Sequence, residues 1–163
     1  MQTSDAITTL FSHNLWANSK LFALCATLND EQLDATIIGT FGTIRNTLEH
    51  IATAERSYFT RISTGKPYPR QEGAPRLTMS EILELSHSTG AGFVEWACKV
   101  QPGETVEIKW KGGEIKHVPK TILLTQAINH ATEHRSQIMA ILTQLGIQPP
   151  DLDGWTYFEQ QEE

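Results

Sequence analysis

Two histidines one helical turn apart, His130 and His134, carry the clearest chemical signal in this sequence. At positions i and i+4 both rings leave the same helix face, one above the other. Two imidazole nitrogens so placed can converge on one cation at about 2.0–2.1 Å without bending the helix. A pair is an incomplete site, so a third ligand must come from another segment. His50 is the best candidate, because its helix must pack an apolar face against its partners and its neighbours Thr47 and Ala54 are small. The plainer alternative is a set of core histidines satisfied by hydrogen bonds, and the residues alone leave both readings open. His87 points away from the apolar line of its segment and reads as solvated. His117 either approaches the metal region or packs on a helix end.

Three other polar residues fall where apolar ones are expected. Glu55 lies on an apolar line, a costly place for a carboxylate without a partner. It can take a proton from a ligand histidine and so support the metal site, or snorkel at a helix edge. Asn14 lies on an apolar stripe and Asn18 at its edge. They either satisfy one another and the backbone or border a cavity beside the metal.

The elements that must position these groups are helices. Residues 119–146 form the longest regular stretch, roughly 40 Å at about 1.5 Å per residue. Pro119 suits a first helical position and Gly146 the residue just past the end. Its inward stripe is Leu123, Ala127, His130, His134, Ile138, Ile141 and Leu145. A first helix over residues 4–28 places Ile7, Leu10, Ala17, Leu21, Leu24 and Leu28 inward, and Asn29 and Asp30 stop it. Gly39 and Gly42 break any pattern in the loop that follows. A second helix over residues 43–62 faces the core with Ile44, Leu48, Ile51, Tyr58 and Ile62. A Pro- and Gly-containing surface crossover, residues 65–77, leads to a third helix opened by a Thr78/Glu81 capping box and ended by Pro102 and Gly103. Its inward line is Ile82, Leu85, Thr89, Phe93, Trp96 and Val100.

Between the third and fourth helices the period changes from helical to alternating. VEIKW and EIKHV flank Gly112-Gly113, which predicts a two-residue hairpin turn with Lys111 opposite Glu114 and Trp110 opposite Ile115. Val106, Ile108, Trp110, Ile115 and His117 would then share one face. After Gly146 a tail is expected to lay Trp155 and Phe158 on the bundle.

The 163 residues suffice for one domain, 1–163, with a sizeable core. Thirteen basic against 19 acidic residues give net charge −6 with no basic tract, which argues against nucleic acid as a partner. Cys25 and Cys98 show no C-x-x-C spacing, so a reducing compartment without disulfides is expected. No apolar run approaches a membrane span and the first residues do not read as a leader, so the expected location is cytoplasmic.

LWAN at 15–18, TLEHIATAERSYFTR at 47–61 and NHATEHRSQIMAILTQLGIQPPDLD from 129 resemble segments of the DinB-like (DinB/YfiT) family, and the similarity runs from about residue 6 to 158. The resemblance implies an all-α, up-down-down-up four-helix bundle with a short β-hairpin between helices three and four. It implies a divalent metal held by His50, His130 and His134, with zinc or nickel foremost, and often a homodimer. Arg135 and Gln137 match positions that commonly follow the second ligand; Glu133 stands where some relatives carry a further histidine. Several family members are transferases or isomerases that use a low-molecular-weight thiol. The expected function is thus a metal-dependent enzyme acting on a small electrophilic substrate, of thiol-dependent S-transferase type. The alternatives are a metal-dependent hydrolase and a non-catalytic metal-binding stress-response protein. The open metal positions are expected to face a pocket bordered by Asn14, Asn18 and Trp110.

Overall fold

The computed structural model describes residues 5–69, 73–110 and 112–162. The first helix, α1 (Ala6–Cys25), starts at Asp5, whose carboxylate accepts from the N–H groups of Ile7 and Thr8. It stops three residues earlier than expected because Asn29 opens a new helix. The Asn29 and Gln32 side chains form a reciprocal capping box on the one-turn α2 (Asp30–Leu33). Thr43 caps α3 (Ile44–Thr64), and Gly65 closes it in the left-handed conformation at φ +72°. The Thr78/Glu81 capping box opens α4 (Met79–Trp96), which gives way to a 3-10 turn before Pro102 is reached.

Strands β1 (Thr105–Lys109) and β2 (Ile115–Pro119) pair antiparallel and lead directly into α5 (Lys120–Gln144). Pro119 is the cap of α5 rather than its first helical residue. Gly146, at φ +73°, ends it, with the Ile147 N–H donating back to the Leu142 carbonyl at 2.9 Å. A last short helix, α6 (Gly154–Glu159), follows.

Partner residues fix the directions of the four long helices. Leu77 N–H meets Glu49 and Phe59 abuts Gly92, so α3 and α4 run parallel. Phe11 stacks on Phe93 and Leu15 abuts Gly90, so α1 runs against α4. His50 meets His130 and Phe41 meets Gln137, so α3 runs against α5. The resulting order is up-down-down-up, with α1 and α3 on one diagonal and α4 and α5 on the other. Two glycines allow α4 its close seat: a Cβ at Gly90 would lie 2.6 Å from Leu15 Cδ1, and one at Gly92 2.5 Å from Phe59 Cζ.

The core has two apolar halves. One holds Leu21, Phe22, Leu48, Ile51, Ile82, Ile138 and Leu142. The other gathers Phe11, Ile62, Phe93, Val106, Leu124 and Ala127 at the hairpin end.

The structure corrects several expectations. Ile7 and Leu10 are 41% and 52% exposed; Phe11, Asn14, Asn18 and Phe22 take the buried face of α1 instead. On α5 the buried face widens to include Leu124, Ala131, Arg135 and Leu142, because the helix lies against both α1 and α3, and Leu145 falls outside it. The hairpin slips by one residue from the expected register: Lys109, not Trp110, opposes Ile115, and Glu107 opposes His117. The slip follows from a longer turn in which Trp110 N–H bonds Glu114 O and Gly113 N–H bonds Trp110 O. Ile115 and His117 therefore face away from Val106 and Ile108 and are exposed. The expected Lys111 pairing lies outside the described residues. In the tail, Trp155 is 78% exposed and Phe158 39%; Tyr157 packs on His13 and Trp16 in their place.

Candidate metal centre

His50, His130 and His134 come together between α3 and α5. One ring nitrogen from each lies within 4.8 Å of the others. The ring centroids are 4.5–4.9 Å apart, with interplanar angles of 55–85°. Nε2 of His50 and Nε2 of His130 approach to 2.9 Å. Two lone pairs aimed at each other at that distance repel unless a proton or a cation lies between them. Two ligands sharing a tetrahedral cation at about 2.0–2.1 Å sit roughly 3.3 Å apart. The donor set is nitrogen only, which suits zinc, nickel, iron and copper alike. The residues present therefore fit a divalent cation.

The protonation states fit as well. Burial holds His50 below the ordinary histidine range, helped by the neighbouring His134. Burial pushes His130 down to about 4, with the charges of His134 and His50 adding to it. Both rings are thus neutral at pH 7, the state a ligand needs. His130 Nδ1 is buried with no hydrogen-bond partner.

His134 is the most buried of the three, 7% exposed. Its Nδ1 lies 2.9 Å from Gln137 Oε1. An amide oxygen only accepts, so Nδ1 carries a proton, which in the neutral ring leaves the lone pair on Nε2. The same oxygen accepts from the Phe41 backbone N–H at 3.0 Å. The Phe41 ring stacks on His50 at 4.1 Å and 16° and meets His134 edge-on at 5.1 Å. Tyr58 lies edge-on to His130 at 5.9 Å.

The polar residues proposed to support the ligands do something else. Glu55, fully buried, accepts from Asn14 Nδ2 at 2.8 Å and from Asn18 Nδ2 at 3.0 and 3.1 Å. The Oδ1 atoms of both asparagines accept from Arg135 Nη1 at 2.7 Å. Two amides thus relay between a buried carboxylate and a buried guanidinium. Burial raises the Glu55 pKa, while the two asparagines and Arg135 act in the opposite direction. Burial also lowers that of Arg135 to about 10, against the pull of Glu55. No hydrogen bond joins Glu55 to a histidine among the described residues, and it does not snorkel. Asn14 and Asn18 are 2% and 1% exposed, buried within this network. Trp110 sits half-exposed on the hairpin under Lys116. His87 and His117 are exposed and stand apart from the histidine group.

Phe41 had no sequence signal, since it lies in a loop without periodicity. Gln137 had one, because position i+3 from His134 places it on the neighbouring helix surface. Arg135 could have been found by charge matching, as the natural partner of a carboxylate on an apolar stripe.

An up-down-down-up bundle with three histidines converging from two of its helices defines a class of four-helix proteins able to hold a metal in the bundle wall. This chain belongs to the DinB family, whose model matches residues 1–163. Among solved structures it is similar to YfiT from Bacillus subtilis, at 14% identity and TM-score 0.64, over 91% of this chain and 93% of that one. YfiT is described as a probable metal-dependent hydrolase with an unusual four-helix bundle topology. A DinB-like protein from Bacillus cereus matches at 21% identity and TM-score 0.60, over 86% and 91% of the two chains. The DinB-like YjoA from Bacillus subtilis matches at 16% identity and TM-score 0.63, over 88% and 97%. No curated protein matches the sequence. Among the described residues, no helix is long and apolar enough to cross a membrane.

Proposed function

We propose that this chain is a metal-dependent enzyme that joins a low-molecular-weight thiol to a small electrophilic substrate. His50, His130 and His134 hold the divalent cation, zinc or nickel foremost. The observation that carries the proposal is the convergence of three imidazoles with no carboxylate in the group among the described residues, His50 and His130 being held neutral by burial. When bound, a cation so held keeps its positive charge and lowers the pKa of a thiol or water that joins it. The remaining work falls to the chain. Gln137 holds the His134 proton on Nδ1. Glu55, the buried carboxylate of α3, is committed to Asn14 and Asn18 and is not available as a base. A thiol needs less help than water to lose its proton, having a pKa of about 8.5 against 15.7, and this favours the thiol as nucleophile. In the reaction the thiol proton goes to solvent, sulfur bonds to the electrophilic carbon, and the leaving group departs with its electron pair.

The description of YfiT favours a second reading, hydrolysis, with water as nucleophile. A panel of electrophiles assayed with and without small thiols separates the two. Turnover that requires the thiol is expected. Thiol-independent turnover supports hydrolysis, and equal rates for wild type and His50→Ala leave metal binding without catalysis.

Metal removal is expected to weaken the fold without abolishing it, because both apolar halves of the core remain. At free metal of 100 times Kd, linkage adds about 2.7 kcal/mol; at about 2–4 °C per kcal/mol for a chain of this size, the melting temperature should rise roughly 5–10 °C. In the apo protein the depressed His50 and His130 bind protons less readily folded than unfolded. Stability should therefore fall as pH drops below about 6.5 and level off near the His130 value of about 4. Thermal melts of apo and zinc-loaded protein across pH 4–8 measure both effects, and an apo protein without helical circular dichroism would contradict the first.

A further inference from the structure

The loop over residues 36–42 is bonded mostly to itself. Thr36 Oγ1 donates to Gly42 O at 3.0 Å and Thr40 Oγ1 to Ile37 O at 2.8 Å, with Gly39 at φ +93° supplying the turn. Its tip buries little: Ile38 is fully exposed and Phe41 52% exposed. The tip is attached to the bundle at the metal centre, through the Phe41 N–H on Gln137 and the Phe41 ring on His50 and His134. One atom, Gln137 Oε1, accepts from both the loop backbone and the ligand His134.

We propose that Gln137 is a positioning residue that couples the metal centre to this loop, so that loading the three histidines and seating Phe41 over His50 are parts of one equilibrium. An amide oxygen has two lone pairs, and here one takes the Nδ1–H of His134 while the other takes the Phe41 N–H. A cation on His134 requires the proton to stay on Nδ1 and makes that N–H a stronger donor, which fixes the Gln137 amide and with it the loop's anchor. Coupling of this kind is reciprocal: a seated loop favours the metal as much as the metal favours the seated loop. The inference rests on the metal reading and adds a device to it, a wall of the site that closes when the cation is present.

The test uses the full chain, with cobalt absorption titrations for affinity and amide hydrogen exchange at Phe41, followed by NMR with and without zinc. In wild type, zinc is expected to slow Phe41 exchange by about tenfold or more. Gln137→Leu should lower cobalt affinity about 10- to 100-fold, the range for partners that orient a ligand histidine, and leave Phe41 exchange fast at saturating zinc. Gln137→Glu, which keeps the acceptor, should restore both. Gln137 is half-buried on a helix surface, so helical circular dichroism should be unchanged in both variants. Cobalt bound equally by wild type and Gln137→Leu overturns the proposal, as does lowered affinity with Phe41 protection intact. A wild-type protein that takes up no cobalt overturns the metal reading itself, and the coupling with it.

Discussion

Replacing His130 and His134 together by alanine is expected to remove specific metal uptake. The two rings supply two of the three converging nitrogens, and the remaining His50 is a single imidazole on a half-buried surface. Loss of a partner that merely orients a ligand costs about 10- to 100-fold in metal affinity; loss of two ligands should exceed the top of that range. The fold should survive. The substitutions remove buried ring surface but also relieve three crowded imidazoles, two of which approach nitrogen to nitrogen at 2.9 Å. The measurement is elemental analysis of protein purified without a histidine tag, with circular dichroism as the control. His87→Ala and His117→Ala, at exposed positions outside the group, should retain uptake. Full metal occupancy in the double variant would refute the site.

The largest loss of stability is expected from Arg135→Met. Arg135 is 5% exposed and Glu55 fully buried, and Asn14 and Asn18 relay between them across the bundle diagonal. Methionine fills much of the same volume but donates nothing. Two amide oxygens lose their donor, and the Glu55 charge loses the cation that offsets its burial. Removing one partner of a buried ion pair costs about 3–5 kcal/mol, or roughly 6–20 °C in melting temperature at about 2–4 °C per kcal/mol. The cost arises from stranding a charge rather than from the worth of the pair. Adding Glu55→Leu to Arg135→Met should therefore recover a large part of it. Urea unfolding of the two variants decides the matter: a loss under about 1 kcal/mol for Arg135→Met with an unchanged slope would show that Glu55 is not held as a buried anion.

The network also suggests why polar residues occur at these core positions. On α1, Asn14 and Asn18 fall between Phe11 of one apolar half and Leu21 of the other; on α3, Glu55 falls between Ala52 and Ile62. A one-turn slip of α1 along α3 and α5 would leave four buried polar side chains unsatisfied, so the network pins the register of three helices.

Much of this protein was legible in its sequence because helical information is local. The 3.6-residue period, the Thr78/Glu81 capping box and the closing Gly146 set where the long helices lie, and each rests on contacts within a few residues. The His130/His134 pair was legible for the same reason, since one turn of helix fixes both directions. The resemblance then supplied the order of the bundle, and the partner residues bear it out. Non-local contacts decide the rest. The register between the strands differs by one residue from that expected of a two-residue Gly112-Gly113 turn, and a slip of one exchanges the two faces of a hairpin. The polarity of Asn14, Asn18 and Glu55 was visible, but their partner Arg135 lies 80 to 121 residues away in the chain, and only packing brings it to them. The Gln137 oxygen shared between His134 and Phe41 was decided in the same way. Which face of α5 is buried was also a tertiary outcome: an isolated amphipathic helix shows one stripe, but a helix lodged between α1 and α3 buries two, and Arg135 lies on the second.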